Sequence, residues 1–237
     1  MLIWILSHAL AVQPELVAER LQDIAPLRIH RIGRKIPELP DHAYDGIEKG
    51  RVQTGLVTVE GEVARMGWGV AIVDVGIGPL WAAINDEDGK VAWTKADYAE
   101  ILEGEPCGST RRVFQYLPVP LFTDRWWVNI QRENDTLMQQ SGGKVREMTW
   151  TTDGDFSLPT ATAKAWGDKG IHVGFTLGAW LLVQLDDDHT LVEYYTLSDP
   201  GGQLPARMAS SLAANAIDDT IRAMVKGAKE GPGCPIE

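Results

Sequence analysis

The sequence predicts an α+β fold: short helices first, then a run of antiparallel strands, then one long amphipathic helix. Three observations carry this prediction. From Tyr98 to Leu197 the chain reads as successive strands, "YAEILEGE", "RRVFQYLP", "DRWWVNIQRE", "KVREMTWTT", "IHVGFTLGAWLLVQL" and "HTLVEYYTL". The pieces between them, such as "NDT", "SGG", "TDGD" and "DDD", are made of turn formers. From about Leu204 to Lys229, Ala209, Leu212, Ala213, Ala216, Ile217, Thr220, Ile221 and Met224 share one arc of a helical wheel. Arg207, Asn215, Asp218, Arg222 and Lys226 share the other arc.

Taken in order, Pro14 to Ile24 reads as a helix with Leu16, Val17, Leu21 and Ile24 on one side. Pro26 to Gly50 is broken by prolines and glycines and reads as irregular. "TGLVTVEGEVARMGWGVAIVDV" then alternates as strands do, up to Val75. In "GIGPLWAAINDEDG", Pro79 suits a helix's first turn, and Leu80, Trp81 and Ile84 make a short apolar side. Pro205 opens the last helix in the same way. With no repeat or composition break, three units are expected: an N-terminal segment (1–49), one domain (50–230) and a flexible tail (231–237).

The 237 residues are 44% hydrophobic and 23% charged, ordinary values for a globular protein able to bury a sizeable core. A net charge of −11 argues against a nucleic-acid partner, since phosphate binding relies on lysine and arginine. One basic stretch, "RIHRIGRK" (Arg28 to Lys35), runs against that trend; as a patch it could touch anionic lipid heads, but it reads first as a solvated connecting segment. The opening "MLIWILSHALAVQPE" supports two readings. It is either an export signal cleaved after Ala11, leaving Val12 as the mature start, or an N-terminal packing segment. Cys107 and Cys234 could pair only in an oxidising compartment, so cytoplasmic and exported locations both stay open.

Recognisable chemistry is scarce. Histidines 8, 30, 42, 172 and 189 are scattered, without an HExxH pair or a Cys-x-x-Cys, so no metal site is expected. Neither a dinucleotide fingerprint, a P-loop nor a GxSxG elbow is present, and no cofactor or catalytic residue is expected. "DDDH" (Asp186 to His189) and "TDGD" (Thr152 to Asp155) read as turns. What does stand out is "TDRWWVNIQRE", with two adjacent tryptophans in one strand, where neighbours face opposite ways. Alternation alone puts Trp126, Val128 and Ile130 on the apolar face and leaves Arg125, Trp127, Asn129 and Gln131 in water.

Three segments together resemble the START superfamily of helix-grip lipid-transfer domains. "VAIVDVGIGPLWAAIND" looks like its strand-to-helix entry with a buried tryptophan, here Trp81. "YLPVPLFTDRWWV" looks like its proline-rich turn leading into an Arg-Asp-aromatic-Val strand, although the loop is one residue longer and Trp126 stands where an acid is usual. The stretch from Gly178 to Ile221, with Asp199-Pro200-Gly201-Gly202 before Leu204-Pro205, resembles its closing hairpin and helix. The likeness covers about residues 50 to 230. It implies a curved antiparallel sheet wrapped around the C-terminal helix, with a hydrophobic cavity between.

The resemblance also reverses the register of the double tryptophan. Trp127 should face the cavity with Arg125, Asn129 and Gln131, Trp126 should back the sheet, and the alternative is that both faces are simply buried. Trp180, Ala209, Ala213, Ala216 and Ile217 complete the implied ligand wall, with Gly201 and Gly202 as a flexible joint before a lid. The function implied is binding, with or without transfer, of a lipid or sterol-like apolar ligand by a monomer in transient contact with a membrane. The rival is an enzyme of the same fold, a cyclase or hydrolase, and a third reading is a ligandless interaction domain.

Overall fold

The computed structural model describes residues 14–33, 36–45, 47, 50–60, 65–152, 154–199, 201–202, 206–231 and 233–235, with the backbone alone for 14, 41 and 206–215. The predicted cleavage site after Ala11 lies outside the described residues. Helix α1 (Pro14–Ile24) and two 3-10 turns (Ala25–His30 and Asp41–Tyr44) precede strands β1 (Val52–Thr58) and β2 (Arg65–Val73). Helices α2 (Ile77–Asn85) and α3 (Glu87–Trp93) follow, then β3 (Tyr98–Glu103), β4 (Thr110–Leu117) and β5 (Arg125–Glu133). The chain continues through α4 (Asp135–Gln140), β6 (Val145–Thr151), α5 (Ala161–Gly167), β7 (Ile171–His172), β8 (Phe175–Gln184), β9 (Thr190–Asp199) and α6 (Ala206–Glu230).

Among the described residues one sheet holds all the strands, in the order β1-β2-β9-β8-β6-β5-β4-β3, with β7 added beside β5. Every ladder on the main path is antiparallel, and the predicted α+β layout is the observed one. Two local readings differ. "IHVGFTLGAWLLVQL" is not one strand: Ile171 and His172 pair in parallel with β5, and the chain then leaves to pair with β6 and β9. "NDT" is not a bare turn, because the Asn134 side chain accepts from Leu137 N at 3.1 Å and so caps α4.

Each face of the sheet has its own cover. On the inner face, Ala71, Val73, Met148, Trp180, Leu182 and Val192 pack with Leu80, Trp81 and Ile84 of α2 and Ile217, Ile221 and Met224 of α6. Gly67 and Gly69 of β2 let the helix come close: a Cβ on Gly69 would sit 2.3 Å from the Ile217 Cγ2. On the outer face, Val17 and Ile24 of the N-terminal segment pack on Met66, Trp68, Val70, Ile72, Leu181 and Tyr195. Helix α5 covers the far end of the same face through Ala163, against Phe114, Tyr116, Val128 and Trp126.

The outer cover also carries charge. Glu147 and Glu193 stand on either side of Leu181 across three paired strands, and neither carboxylate is exposed. Glu193 accepts from Arg28 Nη1 at 3.1 Å, from Arg28 Nη2, and from the Tyr44 and Tyr195 hydroxyls at 2.6 Å each. Glu147 accepts from Arg31 Nε at 2.9 Å, Ile32 N at 2.9 Å and Asn134 Nδ2 at 2.8 Å. This corrects the reading of "RIHRIGRK" as a solvated segment: Arg28 and Arg31 turn inward because two carboxylates on the sheet demand them. The pocket lined by Ile24, Leu27, Arg28 and Leu181 has no room for a water, so this side is closed.

Burial alone would raise the Glu193 pKa, but the Arg28 hydrogen bonds and charge, with Arg31 and Tyr195, hold it below the usual carboxylate range. Its stabilisation is therefore complete above the unfolded-state value and is lost as pH falls through the depressed native one. Arg28→Met removes that depression and leaves a buried charge short of its partner. The expected loss in a urea titration at neutral pH is about 3 kcal/mol, and acid unfolding should begin at a higher pH than in the parent chain.

Candidate ligand-binding site

The ladders decide which way β5 faces. Trp127 pairs with Gln115, Asn129 with Val113, and Gln131 with Arg111 on one side and Trp150 on the other. Trp150 in turn pairs with Gly178, Met148 with Trp180, Trp180 with Tyr194, and Tyr194 with Gly69, on which Ile217 rests. Directly paired residues share a face. Arg125, Trp127, Asn129, Gln131 and Trp180 therefore all lie on the face turned toward α6. Trp126 faces the other way, its ring 5.7 Å from Phe114 and 4.4 Å from His172. The outer tryptophan, Trp126, has its own cover in α5, while Trp127 stands on the inner face.

The inner face is apolar toward β2 and polar toward β4 and β5. Gln115 Oε1 accepts from Trp127 Nε1 at 2.9 Å and from Asn129 Nδ2 at 3.4 Å. Asn129 is 2% exposed, yet its Oδ1 has no partner. Beside it, the fully buried Arg111 gives Nη2 to Asn85 Oδ1 at 2.8 Å and to Gln131 Oε1 at 2.9 Å, and Nη1 to the Gly108 carbonyl. Glu87 Oε1 lies 2.6 Å from Lys90 Nζ and 3.8 Å from Arg111 Nη2. Burial lowers the pKa of both cations, Lys90 and Arg111. Glu87 Oε2 and Arg111 Nε are buried without partners.

Tyr194 adds a different kind of observation. It lies deep enough that desolvation raises its phenol pKa well above the ordinary value, yet the residue is only half-buried. The Tyr194 ring stands 4.4 Å from Trp180 and 5.5 Å from Trp150, so three aromatic side chains meet on the inner face.

Not every predicted wall residue is presented in the same way. The Arg125 guanidinium is engaged with the Thr123 carbonyl and, at 3.4 Å, that of Gly201. It thereby ties the β4–β5 loop to the glycines before α6, both of which adopt left-handed backbone. Ile217 is buried on the β2 glycines, and Ala216 is exposed. The side chains of Ala209 and Ala213 lie outside the described residues. Reading the sequence missed Arg111, Gln115, Glu87, Trp150 and Tyr194. A signal existed in "RRVFQYLP", where Arg111, Val113 and Gln115 alternate with Arg112, Phe114 and Tyr116.

No family model and no curated protein matches the sequence. Solved structures do match. The STAR-related lipid transfer protein of Xanthomonas axonopodis, as a fragment, has a TM-score of 0.61 at 16% identity, covering 76% of this chain and 94% of its own. Human StAR-related lipid transfer protein 5 gives 0.61 at 13% identity, covering 92% of this chain and 99% of that one. The chain has a START-like helix-grip fold. In this START-like domain the two tryptophans are expected to separate in a stability assay. Trp126→Ala should cost about 3 kcal/mol in urea titration, because it hollows the contact with α5. Trp127 is half-buried like Trp126 but is not packed on that cluster, so Trp127→Ala should cost clearly less.

Proposed function

We propose that this domain binds an apolar ligand between the inner face and α6, with one hydrogen-bond-donating group of the ligand set against β4, β5 and α3. The observation that carries the reading is the set of buried atoms left unpaired on that face. Two are acceptors, Glu87 Oε2 and Asn129 Oδ1, and two are donors, Arg111 Nε among them and Arg146 Nε farther off, over Trp81. Leaving such groups unpaired costs about 1–3 kcal/mol each. A ligand hydroxyl donates one hydrogen and accepts, so it relieves one of the two acceptors and one donor, whereas an ether or ketone cannot donate. Trp127, Trp150, Trp180 and Tyr194 supply the apolar contact such a ligand needs. The structural likeness to proteins named for lipid transfer supports the same reading.

A surface loop supports transfer as well as binding. Between β4 and β5, Phe122 N bonds Val119 O at 3.0 Å, and Leu121 sits at φ 69° in that turn, where glycine is usual. Leu121 is fully exposed and Phe122 is exposed beside it. Asp124 fixes the loop by accepting from the Tyr116 hydroxyl at 2.7 Å and Val119 N at 3.0 Å. An apolar tip held out at a conformational cost suits shallow insertion into a bilayer.

Two measurements test these readings. A pyrene-labelled long-chain alcohol should bind at least about 10-fold more tightly than its methyl ether, or about 1.4 kcal/mol. Trp127→Arg should abolish binding in a chain that stays folded. Equal affinity for alcohol and ether would sink the hydroxyl assignment, and no binding of either would sink the site. For the loop, Leu121→Asp with Phe122→Asp should slow transfer of the alcohol between phosphatidylcholine vesicles several-fold while leaving equilibrium binding unchanged. Unchanged transfer would remove the loop from the reading.

A further inference from the structure

The Cys107–Cys234 disulfide spans 127 residues, and its two ends sit beside the two elements that Arg111 also joins. Cys107 lies in the β3–β4 turn, next to Gly108, whose carbonyl accepts from Arg111 Nη1. Cys234 belongs to the tail after α6, expected from sequence to be flexible. The tail is instead seated on α2: Cys234 N bonds the Ala82 carbonyl at 3.1 Å, and Cys234 is 4% exposed. One helical turn further along α2, Asn85 accepts from Arg111 Nη2 at 2.8 Å. The disulfide and the guanidinium thus bridge the same gap, one between the turn and the tail on α2, the other between the turn and α2 itself.

We propose that this disulfide is a redox-operated clamp on Arg111. Oxidised, it holds the turn and α2 at the spacing at which Arg111 reaches Gly108 and Asn85 together. Reduced, the turn and the tail are free to part, and Arg111 loses the bridge that keeps it beside Gln131 and Glu87. The reductant is a dithiol. Its thiolate attacks the half-buried Cys107 sulfur, Cys234 leaves as a thiolate and takes a proton, and the second thiol displaces Cys107. Two electrons and two protons pass to the protein, which gains two thiols, while the dithiol closes to its own disulfide. That reduction would hasten ligand release rests on the function proposed above.

The test uses the full chain in three forms: oxidised, reduced with dithiothreitol, and carrying Cys107→Ser with Cys234→Ser. Proton exchange is followed by NMR at the Arg111 Nε–H and at the amides of Gly108, Cys234, Val70 and Val192. A clamp predicts at least a 10-fold rise in exchange at Arg111 and Gly108 in the reduced and double-serine forms, with Val70 and Val192 unchanged. It also predicts that the pyrene-labelled alcohol dissociates at least 5-fold faster. A rise confined to the tail around Cys234 would overturn the proposal, since the bond would then staple the tail alone. A rise spread equally to Val70 and Val192 would overturn it too, because the bond would then support only global stability. The exchange readout needs no ligand. A chain that binds no alcohol in either state would therefore sink the ligand reading, while Arg111 still decides the clamp.

Discussion

Glu193 has no exposure and four donor contacts around its carboxylate, and the outer cover of the sheet hangs on that arrangement. A carboxylate in the middle of an apolar face is untenable unless donors come to it. Here they come from a segment about 165 residues earlier, through Arg28, and from Tyr44 and Tyr195. Glu147 imposes the same demand two strands away and is met by Arg31, Ile32 and Asn134. Hydrophobic packing of Val17 and Ile24 would hold the N-terminal segment against the sheet in many registers. The two carboxylates select one of them, because ion pairs and hydrogen bonds have geometry that apolar contact lacks.

The inner face has a polar centre of its own. Around Arg111 the hydrogen bonds to Asn85, Gln131 and Gly108 are made, yet three buried atoms stay unpaired within the same group of side chains. The Glu193 carboxylate itself is fully met, although Arg31 Nη2 and Trp68 Nε1 on the same outer face are buried without partners. Incomplete pairing therefore occurs on both faces of the sheet, and on the inner one it gathers around Arg111.

Legibility in the sequence followed the range of the interaction. Strand alternation, turn formers and the amphipathic arc of α6 are local, and they placed the α+β layout and nearly all the strands. The inward face of Trp127 was not local: alternation in "DRWWVNIQRE" pointed the wrong way, because α5 gives Trp126 an apolar partner that no neighbour in sequence announces. The family resemblance had the register right where periodicity did not. Arg28 and Arg31 were misread for a similar reason, since their partners lie in β6 and β9. Arg111 was passed over because a second arginine, Arg112, follows it. That pair looks like surface charge until the ladder shows that one member points inward and the other bonds the carbonyls of Asp155 and Ser157.

The footing of α6 says where space can exist. Strands stand about 4.8 Å apart, so β5, four ladders from β2, lies about 19 Å away across the sheet. A helix is about 10 Å wide with its side chains. With Ile217 pressed onto Gly67 and Gly69, and Ile221 and Met224 buried beside it, this part of α6 is spent on β1, β2 and β9 and cannot reach β5. Its 25 residues span about 37 Å, so only its other half is long enough to pass over the middle of the sheet. On the inner face toward β5 stand Trp127, Asn129, Gln131, Trp150 and Tyr194, which are polar or half-buried.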